Sequence, residues 1–137
     1  MKLEFLDDIT DGGRYPLADP KKLIRLFSFD HEEAEKLRNV IQFWIVNKGE
    51  SLEISALGWV KSINCNLTFE ISSEDSGIEF SSTNNFVCRL AIERYREMIQ
   101  IISKFCVQEN DLAGYNWLYD PAEENKIDLL FSPGGTW

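Results

Sequence analysis

The sequence is poor in the residues on which most recognisable chemistries depend. It has three cysteines and one histidine in 137 residues. Cys65, Cys88 and Cys106 are odd in number and widely spaced, which argues against both a disulfide framework and a zinc cluster. A reducing compartment, the cytoplasm, is therefore expected, with no metal and no cofactor. With His31 as the sole histidine, any Cys-His or Ser-His-Asp scheme would have to use a residue expected in the first turn of a helix. The eight glycines form no phosphate loop, because Gly12-Gly13 and Gly134-Gly135 lack both the spacing and the lysine of a Walker A segment. No run reaches the roughly 18 apolar residues of a membrane span. Met1-Lys2-Leu3-Glu4-Phe5-Leu6-Asp7-Asp8 lacks the apolar stretch of a signal peptide, so no membrane partner is expected. Bases are scarce too, 14 Lys and Arg against 23 Asp and Glu, for a net charge of −9. A phosphate backbone would be repelled, and nucleic acid is not an expected partner.

Apolar side chains are plentiful: 44% of residues are hydrophobic and 12% aromatic. That is enough to build one core from a chain of this length, and residues 1–137 read as a single domain, with 1–21 a loosely packed strand and loop. Leu3 to Leu6 reads as a short strand. Leu23 to Phe29 is almost continuously apolar, the pattern of a central strand covered on both faces. Asp30 stands three residues before Glu33, a capping-box-like helix start, and Ala34, Leu37, Val40, Ile41 and Trp44 follow at helical spacing up to a C-terminal Gly49. The period then changes to two. Leu52, Ile54 and Ala56 alternate with polar residues, as do Ile63, Cys65, Leu67, Phe69 and Ile71. Ser73 to Gly77 reads as a turn, so Ile78 to Ser81 is expected to return beside the preceding strand as a hairpin, with Phe86, Cys88 and Leu90 extending the meander. A second helix begins near Ile92 with Tyr95, Met98, Ile99, Ile102 and Cys106 on one stripe, but no good N-cap residue precedes it. Tyr115 to Tyr119 and Ile127 to Phe131 close the chain as strands. The expected fold is α+β, a mainly antiparallel sheet of about six to eight strands with two helices on one face.

The negative charge is unevenly spread. Residues 21–50 carry six bases and five acids, and residues 87–106 four bases and two acids, so the remainder of the chain carries a net −12. The two strand-helix units are slightly basic, while the loops and the open sheet face are acidic.

Three groups of residues are candidates for function. Glu53, Glu70 and Glu79 fall on the polar phase of neighbouring expected strands, where two close carboxylates can serve as acid and base; a solvated sheet face displays the same residues. The cysteines share the apolar phase of their elements and read as core. The third group is aromatic: Tyr115, Trp117, Tyr119 and Trp137 lie in the last quarter of the chain beside Asp111, Asp120 and Asp128. Such rings form a rigid, amphipathic binding surface, and the acids suit a cation or an arginine.

Several segments together resemble a group of small bacterial proteins of unknown function. They are Leu23-Ile24-Arg25-Leu26-Phe27-Ser28-Phe29-Asp30, Asn64-Cys65-Asn66-Leu67, Phe86-Val87-Cys88-Arg89-Leu90, Gly114-Tyr115-Asn116-Trp117-Leu118, and residues 127–137. The likeness is one of pattern and spans most of residues 22–137. It implies a single cytoplasmic domain and assigns no functional residue. The sequence thus leads to a non-catalytic interaction domain that binds a basic protein partner through Glu70, Glu79, Asp111, Tyr115, Trp117, Tyr119, Asp120 and Trp137, an inhibitor or immunity protein being one version. The alternatives are a small ligand-binding domain or enzyme using sheet-face carboxylates, and a homodimer that buries the aromatic tail.

Overall fold

A computed structural model describes residues 1–18, 20, 22–107, 114–123 and 126–137. Asp111 lies outside the described residues. Among the described residues the chain is α+β, with two helices and nine strands in two mixed sheets. β1 (Lys2–Leu6), β2 (Leu23–Phe27), β4 (Lys61–Ser62), β8 (Asn116–Tyr119) and β9 (Asp128–Ser132) form the first sheet, in the order β4-β1-β2-β9-β8. β3 (Leu52–Glu53), β5 (Asn66–Ile71), β6 (Gly77–Ser82) and β7 (Asn85–Leu90) form the second, in the order β3-β5-β7-β6.

The single, mainly antiparallel sheet expected from the sequence is therefore corrected in two respects: there are two sheets, and each has a parallel pair at its centre, β2 with β9 and β5 with β7. Burial explains the change. Phe86, Val87, Cys88 and Leu90 of β7 are all buried, so β7 takes the inner position and β6, whose residues from Glu79 to Ser82 are exposed, is left at the edge. β6 accordingly pairs with β7 through the two-residue turn Thr83-Asn84, not with β5. Asn84 adopts a φ of 61°, which a short polar side chain tolerates in such a turn. β9, buried along its whole length, displaces β8 to an edge by the same rule.

α1 (His31–Val40) begins where expected: the Asp30 carboxylate accepts the Glu33 backbone N–H at 2.9 Å. The Glu33 carboxylate pairs with the Met1 ammonium, which also donates to the Trp59 carbonyl at 3.2 Å. The helix continues as a wider π-helical stretch over Ile41–Asn47 and stops at Gly49, whose φ of 66° ends it. The strand expected at Leu52 to Ala56 is a two-residue strand followed by a 3₁₀ turn, Ile54–Ala56. α2 (Ile92–Ser103) lacks a capping side chain of its own at Ala91. Asp75, from the loop before β6, accepts the Ala91 N–H at 2.9 Å and pairs with Arg94 at 3.2 Å, doing from a distance what a local cap would do.

One buried core draws on both sheets and both helices. Phe29 stacks on Phe131 at 4.1 Å, and Phe105 meets Phe131 edge-on at 5.1 Å. In the second sheet the fully buried Tyr95 of α2 lies 5.5 Å from Phe69, and its hydroxyl stands 2.8 Å from the carbonyls of both Glu70 and Cys88. The helix thereby tethers the two parallel strands β5 and β7.

Candidate functional site

The outward face of the first sheet assembles the aromatic group. The pairing Glu4 to Arg25 to Leu130 to Trp117 runs straight across β1, β2, β9 and β8. Arg25 is bound to Glu4 at 2.7 Å and lies over the Phe27 ring at 4.2 Å. After β9 the chain turns back over this face. Ser132 Oγ donates to the Thr136 carbonyl at 2.8 Å and accepts the Thr136 N–H at 3.1 Å, and Arg25 Nη1 donates to the Gly135 carbonyl at 2.7 Å. Gly135 has a φ of 76°, and a Cβ there would come within 3.0 Å of the Phe27 ring, so this close approach requires glycine.

The returning tail sets Trp137 edge-on to Trp117 at 6.3 Å, and Tyr115 also meets Trp117 edge-on, at 6.1 Å. Tyr115 is 45% exposed and Trp137 41%, while Trp117, in contact with both, is half-buried. Tyr119 does not join this row. The register of β8 breaks between Trp117 and Tyr119, which turns Tyr119 inward; it is 6% exposed, packs beside Gly77, and carries Arg94 over its ring at 5.8 Å. Burial raises its hydroxyl pKa.

Trp117 also walls a cleft of about 330 Å³ whose lining includes Asp120, Pro121, Glu123, Asp128 and Pro20. No base is among the described lining residues. Asp128, at the start of β9, is only 7% exposed and is engaged in an interaction of its own. Pro20, Pro121, Ala122 and Glu123 are the lining residues that sequence reasoning missed. The acidic run around Glu123 was readable, but only the return of β9 beside β2 brings Pro20 and the loop after Tyr119 to the same cleft.

The sheet-face carboxylates are arranged differently. Glu70 on β5 and Glu79 on β6 lie on either side of Arg89 on β7, at 3.1 and 3.8 Å. Glu53, on β3, is exposed opposite Thr68. Glu70 and Glu79 share a guanidinium in the open, without the burial or like-charge crowding from which a carboxyl draws acid-base function.

The thiols are equally unsuited to attack. Burial pushes Cys88 up to about 12 and, together with the Glu4 carboxylate, Cys65 up to about 11; burial raises Cys106 as well. Among the described residues no group of three His, Cys, Asp or Glu is placed to hold a metal ion, and no helix is long and apolar enough to cross a membrane. Comparison with protein-family models, with curated proteins and with solved structures returns no match.

Proposed function

We propose that this chain is a non-catalytic interaction module that binds a basic protein partner through the Tyr115-Trp117-Trp137 face and the adjoining acid cleft. The observation that carries the reading is the double place of Trp117, at once the centre of the exposed aromatic row and the wall of a cleft containing Asp120 and Glu123. Rings of this kind supply large contact area at little cost in side-chain entropy, and neighbouring carboxylates steer and orient cationic side chains. The net charge of −9 works in the same direction at longer range. An inhibitor or immunity protein that neutralises a basic toxin is one form such a module takes.

Pull-down from a native lysate at low and at high salt, with the wild type beside Trp117→Ala and Asp120→Asn, tests this. The wild type is expected to retain a basic protein whose capture weakens with salt. Trp117→Ala should lose about 2 kcal/mol of affinity, roughly thirtyfold, and Asp120→Asn less. Recovery of no partner at either salt, or equal capture by Trp117→Ala, overturns the proposal.

A further inference from the structure

We propose that β6 is a strand-addition site, whose open edge pairs with an extended segment of a partner protein carrying large apolar side chains at alternate positions. This surface adjoins the Trp117 cleft, sharing Glu123 at its rim, but Trp117 itself does not line it. Four strands end the two sheets. β3 and β4 have two residues each, and β8 has four. β6 has six and pairs on one side only among the described residues, which leaves a row of backbone groups able to bond a further strand.

The side chains beside this edge suit such a guest. Ile78 and Phe80 share one face of β6. Phe80 is 59% exposed although its ring lies 4.4 Å from the buried Phe86, which in turn lies 4.6 Å from Phe5. The aromatic core therefore runs out to the surface at this point. It opens into a groove of about 460 Å³ lined by Ile78, Phe80 and Ile127, of which Phe80 is exposed while Ile78 and Ile127 form its buried floor. A strand laid along β6 would turn alternate side chains into that groove. Its rim carries both signs of charge, Lys22 and Lys126 with Glu79 and Glu123, so backbone bonding and apolar contact would supply the affinity.

A second copy of the chain fits this edge less well. Two-fold antiparallel pairing centred on Glu79 sets two carboxylates directly opposite each other. Pairing centred on Phe80 meets the irregularity between Phe80 and Ser82 and faces Ile78 with Ser82.

The test uses linear random peptides displayed on phage and selected on the full chain, followed by synthesis of the enriched sequences. Enriched peptides should alternate apolar residues and slow amide exchange at Ile78 to Phe80. They should lose at least about tenfold in affinity when alternate backbone nitrogens are methylated, and similarly against Phe80→Lys, whose native fold is checked by its melting curve. Trp117→Ala should bind them unchanged, and affinity should vary little between about 50 and about 500 mM salt, which separates this site from the acidic face. The inference is overturned if no sequence is enriched, or if enriched peptides leave β6 exchange unaltered or bind Phe80→Lys equally well. Concentration-dependent protection of β6 without peptide also overturns it, since a second copy would then hold the edge.

Discussion

The two sheets share a plan and differ in how they meet water. In each, a parallel central pair is flanked by antiparallel neighbours, β1-β2-β9-β8 in one and β3-β5-β7-β6 in the other. In both cases the last two of the four strands form an antiparallel pair whose second member inserts next to the second strand. The first sheet covers much of both faces. β9 is buried throughout: Phe29 and Phe105 pack on its Phe131, and the returning tail is pinned over Arg25 and Phe27 of the neighbouring strand β2. The second sheet covers one face more fully than the other: Leu67 and Phe69 are buried in the core, while Thr68 and Glu70 of the same strand are half-buried, Glu70 paired with Arg89. A face covered by its own chain can carry aromatic rings that are half-buried and held, as Trp117 is. An open face carries charges paired with one another.

The first sheet is most sensitive to substitution at its centre. Phe131→Ala removes a fully buried ring stacked on Phe29 and edged by Phe105, and should cost about 3–5 kcal/mol in denaturant unfolding. A cost below about 1 kcal/mol would mean that the sheet is loosely packed.

The second sheet should show its character in alkaline solution. Cys88, held at about 12 by burial, stays protonated in the folded state when an unfolded thiol ionises near its ordinary value of 9.0. A raised pKa contributes its stability in full below the unfolded value and loses it as pH rises toward the folded one. Unfolding free energy should therefore fall above about pH 9, by up to about 1.4 kcal/mol per pH unit from this group. Cys65 at about 11 and Tyr95, also raised by burial, act in the same direction. Urea midpoints measured from about pH 8 to about pH 11 check this, and a flat profile would contradict the buried seam between β5 and β7.

The smallest effect belongs to the open face. Glu70→Gln removes one carboxylate from an Arg89 pair that is about two-fifths exposed, and should change stability by no more than about 0.5 kcal/mol. A loss several times larger would show that the face is closed by something the chain does not supply.

Much of this was readable along the chain. The alternation through Leu67 and Phe69 announces a strand with one wet face, and the run Leu23 to Phe29, apolar apart from Arg25 and Ser28, announces one covered on both. Asp30 and Gly49 mark the ends of the first helical run because capping and positive φ are local properties. The aromatic row was readable in part: Tyr115, Trp117 and Trp137 come together, whereas strict alternation would have kept Tyr119 with them and the register break in β8 turns it away.

What the residue pattern determined by itself is therefore periodicity, end signals and the apolar content of each segment, all of which depend on neighbours a few positions apart. Tertiary structure alone decided which strands pair. The turn from Ser73 to Gly77 is compatible with a hairpin, but the greater burial demanded by β7 places that strand between β5 and β6. Asp75 caps α2 and Arg89 comes between Glu70 and Glu79 only once that choice is made. The physical reason is that pairing is settled by the competition of whole strands for the inner places of a sheet, a comparison of burial energies that no single window of sequence contains.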